Sequence, residues 1–336
     1  MRPAARIARA AGAALALALV PAACNGGKPI ILGSISPIPY HFAVPQLVAE
    51  LASDSRTDNP TLTADLLEIY FTSDRGGNAD VWFATRASSG APFGTPAPVT
   101  AVNGDSFETS SAISADGLTL WFGSDRAGGS GDVDVWVSER PSRTGEWSTP
   151  VNVVALNSAA ADIPRPVGFH ERVMPMASTK MGPQNPNSGN YQTYLAARAA
   201  PGAPFDQPVA IPELSNPDSS TVDGFLTDDG LTLFYSSAPL LPQTDGGADG
   251  ATKDGGTPRD AAAPDSGAPA VAKSDLFVAW RRSTSEKFSA KQPLTDLNTP
   301  ADERDPWLSP DGTTLYFTSD RSGVLNIYTA QVLPRW

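Results

Sequence analysis

Histidine and cysteine are almost absent from this sequence. Its 336 residues include two histidines, His41 and His170, far apart, and one cysteine, Cys24. That leaves no Cys/His set for a metal cluster and almost no raw material for Ser-His or Cys-His nucleophilic catalysis. Basic residues are also scarce, 24 against 36 acidic ones, for a net charge of −12. Such a balance argues against a nucleic-acid partner, whose phosphates need Lys and Arg, and against an anionic membrane surface. It also favours solubility. Long apolar runs are missing: the one candidate, Ala10–Val20, is shorter than the roughly 20 residues a bilayer-spanning helix needs.

What the N-terminus does contain is an ordered series of signals. Arg2, Arg6 and Arg9 precede the apolar run, and Pro21-Ala22-Ala23-Cys24 follows it. A positive segment, a short apolar core and small residues before a cleavage point make a secretory signal peptide, residues 1–23. The segment resembles a bacterial lipoprotein signal, with Pro21 where Leu is common. The resemblance implies acylation of Cys24, a lipid-anchored linker over 24–39, and a membrane held only through that anchor. Asn25 follows Cys24 in place of the Asp of an inner-membrane retention signal, which favours the outer membrane. Cleavage would remove three arginines and no acid, making the mature chain more acidic still.

The rest of the chain is repetitive, with a period of about fifty residues. The last copy reads Leu308-Ser-Pro-Asp-Gly-Thr-Thr-Leu-Tyr-Phe-Thr-Ser-Asp-Arg321 and resumes to Tyr328. Leu62–Arg75 and Ile113–Arg126 match it closely, Leu226–Ser237 follows it in part, and Val167–Lys180 is a degraded copy. Each copy parses as a strand, an Asp-Gly type turn suited to positive φ, a second strand, a Ser-Asp-Arg turn, and a third strand ending in an aromatic residue. A fourth strand is marked by an aromatic before a proline, at Phe93, Trp147, Phe205 and Phe288. The final copy stops at Trp336 without one, and Phe42-Ala-Val-Pro45 supplies it ahead of the first copy. Four strands per unit, five units and a borrowed strand predict an all-β, five-bladed β-propeller over residues 40–336, closed by its N-terminal strand. Residues 240–273 are an excess inside the fourth blade, nearly free of large apolar residues, and predict a disordered insert. Its Asp245, Asp249 and Asp254 lack the alternate-residue spacing of a calcium loop.

The Ser-Pro-Asp-Gly…Tyr-Phe-Thr-Ser-Asp-Arg…Ile-Tyr pattern at 309–328 resembles the WD40-like, TolB-type propeller repeat of bacterial exported proteins. That resemblance covers nearly all of the chain after Cys24 and implies the fold. It does not imply an activity, because propellers host binders, scaffolds and enzymes alike. The Ser-Asp-Arg turns recur too regularly to be a site; Asp74, Asp125 and Asp320 read as turn caps and Arg75, Arg126 and Arg321 as braces. Tyr70, Trp121, Phe234 and Tyr316 read as inter-blade core.

Less regular acids cluster where the innermost strands begin, at the mouth of the central channel. They are Asp58 with Asn59, Glu108, Asp162 with Arg165, Asp223, and Glu303-Arg304-Asp305. Three readings remain open. Glu108, Asp162, Arg165, Asp223, Glu303, Arg304 and Asp305 form a ligand-binding surface for an envelope protein, peptide or glycan, without chemistry. Alternatively, Asp223, Glu303 and Asp305 are the acids of a five-bladed glycoside hydrolase, whose carboxyl pKa values crowding would raise. Or they are loop caps, with the binding face elsewhere. The sequence implies no cofactor or dedicated metal site, although oxygen ligands on the axis could take a divalent cation. A monomeric state is expected.

Overall fold

Hydrophobic residues alternate along short segments separated by Gly, Pro, Asp and Ser, and each segment forms one strand of a small antiparallel sheet. The computed structural model describes residues 40–334 except 169, 181–189 and 241–271. The signal peptide, Cys24, the 24–39 linker up to residue 39 and all but the ends of the 240–273 insert therefore lie outside the described residues. Strand β1 (Gln46–Leu47) comes first. Blade one contains β2 (Thr57–Leu62), β3 (Glu68–Ser73), β4 (Asp80–Thr85) and β5 (Ala97–Pro98). Blade two contains β6 (Glu108–Ile113), β7 (Thr119–Ser124), β8 (Asp134–Glu139) and β9 (Val151–Asn152). Blade three follows with β10 (Asp162–Pro164), β11 (Val173–Ser178), β12 (Gln192–Ala197) and β13 (Val209–Ala210). Blade four has β14 (Ser219–Leu226), β15 (Thr232–Pro239), β16 (Asp275–Trp280) and β17 (Ala290–Pro293). Blade five has β18 (Glu303–Leu308), β19 (Thr314–Ser319) and β20 (Asn326–Gln331), with β1 as its fourth strand.

The result is five sheets of four strands, a five-bladed propeller. Closure is carried by Gln46 and Leu47, which pair with Thr329 and Tyr328, and by a bridge from Phe42 to Val332. Without these residues the outer side of β20 would be an open edge. The core lies between blades: Tyr70 and Phe122 pack across blades one and two, Trp121 and Met176 across two and three, and Leu214 and Tyr235 across three and four. Phe234 and Phe317 fill the interface of blades four and five, and Tyr316 and Phe71 that of five and one. The turns between first and second strands repeat as well. Gly117, Gly230 and Gly312 sit at φ 70–76°, and blade one places Leu66 at φ 63° in the same position.

Two arginine series brace the blades. In the first, Arg75, Arg126 and Arg321 reach back to the carbonyls of Leu51, Val102 and Leu297 at 2.6, 2.6 and 2.8 Å. Each also donates through Nε to the serine of its own turn, Ser73, Ser124 or Ser319. Each guanidinium lies 5.0–5.4 Å from two ring centroids of its blade, such as Phe122 and Trp136 for Arg126. The turn aspartates cap the incoming strand: Asp125 accepts from the N–H of Phe107 and Asp320 from that of Asp302. In the second series, Arg86, Arg140, Arg198 and Arg281 lie over Phe93, Trp147, Phe205 and Phe288 at 4.4–4.8 Å. Each donates Nε to a carbonyl of the first turn, Leu66, Gly117, Glu171 or Gly230.

Candidate functional site: the axial polar ring

The acids that sequence grouped at the channel mouth lie inside the innermost strands and divide into two sets. Glu108, Asp162 and Glu303 open strands β6, β10 and β18 and are engaged within their own surroundings. Glu108 accepts from Arg126 at 2.8 Å, from the Ser124 hydroxyl at 3.0 Å and from the Gly104 N–H at 3.1 Å. Glu303 accepts from Arg321 (3.1 Å), the Ser319 hydroxyl (2.8 Å) and both N–H and hydroxyl of Thr299. Asp162 accepts from the N–H and hydroxyl of Ser158 at 2.7 and 2.6 Å. Arg304 pairs with Asp302, two residues before it.

The second set is built by β-bulges. Four innermost strands slip register, at Asp58/Thr61, Thr109/Ala112, Val222/Phe225 and Arg304/Trp307. At each bulge one residue adopts a left-handed backbone: Asn59 (φ 55°), Ser110 (φ 51°), Asp223 (φ 60°) and Asp305 (φ 54°). Positive φ is unfavourable for residues with a Cβ, and such positions concentrate where a bulge re-aims a side chain. Each of the four directly follows the last paired residue before its slip, Asp58, Thr109, Val222 or Arg304, so they are equivalent positions in four blades.

Blade three, whose innermost strand is the short β10, supplies the counter-charge. Arg165 is completely buried; its Nη1 donates to Asn59 Oδ1 at 2.7 Å and to Asp305 Oδ1 at 3.2 Å. Asp305 Oδ2 accepts from the Asn59 N–H at 3.1 Å. One guanidinium thus ties blades one, three and five together. Beside it, Asp58 pairs with Arg56 at 2.6 Å, and Asp223 accepts from the Ser236 hydroxyl. Among the described residues, Arg165 Nε and Nη2, Asp58 Oδ1 and the Ser110 hydroxyl have no hydrogen-bond partner. Burial pushes the Asp305 carboxyl up to about 7, aided by the charge of Asp223 and opposed by Arg165. Burial also raises Asp58, against the pull of Arg56.

The structure therefore brings Asp223, Asp305, Arg165, Asn59 and Asp58 into one electrostatic group, and leaves Glu108, Asp162 and Glu303 buried and engaged within their own blades. Ser110 is the member that sequence reasoning missed; as a neutral residue it carried no signal, and only its equivalence to Asp305 identifies it. The second arginine series was missed too, although a regular signal was present. Each of Arg86, Arg140, Arg198 and Arg281 stands seven residues before its aromatic partner. Among the described residues, no group of three or more His, Cys, Asp or Glu side chains is placed to hold a metal ion.

No protein-family model and no curated protein sequence matches this chain. By structure it is similar to TolB from Acinetobacter baumannii, at 14% identity and a TM-score of 0.46, over 85% of this chain and 56% of that one. It is also similar to an α-L-arabinofuranosidase from Podospora anserina, at 10% identity and a TM-score of 0.48, over 88% of this chain and 96% of that one. A third similar structure is an oligogalacturonate lyase from Vibrio parahaemolyticus, at 12% identity and a TM-score of 0.38, over 88% and 97%. The chain spans little more than half the length of the TolB structure. The assignment as a five-bladed propeller rests on the five four-stranded sheets of this chain itself.

Proposed function

We propose that this chain is a non-catalytic binding or scaffold module of the bacterial cell envelope, taking a protein, peptide or glycan on the face around the axial ring. The observation that carries the reading is the burial and internal engagement of the candidate acids. Asp58, Asp223, Glu303 and Asp305 are 2, 6, 0 and 2% exposed, and each is paired or hydrogen-bonded within the protein. Glycoside hydrolysis needs two carboxyl groups facing a sugar-sized cleft, about 5–10 Å apart. A ring sealed by Arg165 suits a rigid platform better than a reaction centre. The address comes from the sequence: a signal peptide over 1–23 and Cys24 as the acylated first residue of an outer-membrane-anchored protein, with the propeller over 40–336. The anchor is checked by mass spectrometry of the N-terminal peptide, where an unmodified Cys24 would end that part of the proposal.

One observation favours a second reading. A carboxyl raised to about 7 beside another carboxylate is what a general acid requires, and Asp305 beside Asp223 has that form. Glu303, with its oxygens engaged by Arg321, Ser319 and Thr299, fits that role less well. The two readings separate when residues 24–336 are screened against glycan and peptide arrays and against chromogenic glycosides, alongside D223N and D305N. Binding without hydrolysis is expected; turnover lost in either variant would establish the hydrolase instead.

A further inference from the structure

Blade three lacks an arginine that three other blades contain, and keeps the receptor for it. In blade two the guanidinium of Arg126 is received by three acceptors and two rings: the Glu108 carboxylate, the Ser124 hydroxyl, the Val102 carbonyl, and the Phe122 and Trp136 rings. Blade five repeats this around Arg321 with Glu303, Ser319, Leu297, Phe317 and Tyr328. Strand register fixes the equivalents in blade three without ambiguity. Asp162 pairs with Ser178 as Glu108 pairs with Ser124, and Met176 pairs with Tyr194 as Phe122 pairs with Trp136. Leu156 stands 24 residues before Lys180, the separation that joins Arg126 to Val102 and Arg321 to Leu297.

At the arginine position itself blade three has Lys180, which is exposed. Around it lies a partly open pocket lined by Leu156, Asp162, Met176, Ser178, Lys180 and Tyr194, among others. Every group that holds the guanidinium in blades two and five thus has its counterpart in this lining, with Met176 replacing one ring. Asp162 is buried, and burial raises its carboxyl against the hydrogen bonds of Ser158 and Ser178. Blade four differs: it has Pro239 at the arginine position and Thr221 at the acid position.

We propose that blade three carries a guanidinium-binding slot, formed by Asp162, Ser178, the Leu156 carbonyl and the Tyr194 ring. Its ligand is a guanidinium group, presented either as an arginine side chain of a peptide or as a small guanidino compound. An ammonium is a poorer occupant. Arg126 uses Nε for one acceptor and Nη2 for two others while its plane faces two rings, a planar fork that a point charge does not reproduce. The slot lies outside the axial ring, so this inference stands or falls independently of the function proposed for that ring.

The test is calorimetric titration of residues 24–336 with methylguanidinium and with the peptide Gly-Arg-Gly, using methylammonium and Gly-Lys-Gly as controls. One site is expected, with a preference of at least about tenfold for guanidinium over ammonium. K180A should bind as well as or better than wild type, whereas K180R, which supplies its own guanidinium, should show no binding. Both changes are at an exposed position, so the fold is retained. D162N should weaken binding at least about tenfold. Tighter binding of Gly-Arg-Gly than of methylguanidinium identifies the ligand as a peptide arginine; the reverse identifies a small guanidino compound. Equal binding of guanidinium and ammonium probes, or undiminished binding by K180R, overturns the proposal.

Discussion

Replacing Arg165 with Met puts the axial ring to a quantitative test. Met retains much of the volume and removes the charge. The loss has two parts. The first is the pair of hydrogen bonds to Asn59 and Asp305, together about 1–3 kcal/mol for a buried, charge-assisted donor. The second depends on pH. The Asp305 carboxyl is raised to about 7, and Arg165 is the strongest influence holding it down, so without Arg165 it titrates higher still. A raised carboxyl favours the fold below its unfolded value near 4, and that contribution falls away as the pH rises through about 7. Below about 7 both proteins keep the proton on Asp305. Above it only the wild type ionises into a compensated pair, and the variant falls behind by about 1.4 kcal/mol per pH unit. Between pH 6 and pH 9 that adds about 2–3 kcal/mol, for a total of about 3–6 kcal/mol at pH 9, in the range expected when one partner of a buried pair is removed. Urea unfolding followed by tryptophan fluorescence at pH 6, 7.5 and 9 reads both parts. The double variant with D305N should lose the pH dependence and be more stable at pH 9 than R165M alone. A destabilisation equal at pH 6 and 9, and unrelieved by D305N, would refute the assignment of Arg165 as the counter-charge of Asp305.

Three other perturbations address the frame. Trp307 is buried between Phe225 and Tyr316, with ring centroids 5.9 and 5.7 Å away; W307A should cost about 3–5 kcal/mol in chemical denaturation. A Cβ on Gly168 would run into the Leu226 carbonyl oxygen, a backbone atom of the next blade. G168A should therefore cost about 1–3 kcal/mol and lower the melting temperature, where a neutral result would mean that blades three and four separate freely. Removing residues 40–53 exposes the outer edge of β20; light scattering should then show larger oligomers than the intact chain forms.

The propeller was legible because its information is repeated. Phe93, Trp147, Phe205 and Phe288 fix the unit even where the Ser-Asp-Arg turn is lost, and Phe42 shows where the missing strand went. Turn chemistry was legible at Gly117, Gly230 and Gly312, and blurred at Leu66, which holds the same positive φ without being glycine. The division of the acids was not legible. Glu303 and Asp305 are two residues apart, yet one is engaged by Arg321 and the other by Arg165. A β-bulge separates them, and a bulge is a property of backbone pairing that residue types do not announce.

Departures from the repeat carry the remaining information, and they are not scattered. Blades one, two and five keep the turn arginine. Blade three replaces it with Lys180, and blade four with Pro239. These two blades are neighbours, and both changes lie where the second strand leads to the third, beside the starts of β10 and β14. Loss of a brace through drift alone would leave its receptor free to drift as well. In blade four the acid is gone, Thr221 standing in its place. In blade three Asp162 remains buried, with Ser178 and Tyr194 in register around it. A buried carboxylate held by amide and hydroxyl donors alone, as Asp162 is by Ser158, costs more than one that also has its cation. That cost makes the face of blade three, rather than the sealed axis, the sharper place to look for a ligand.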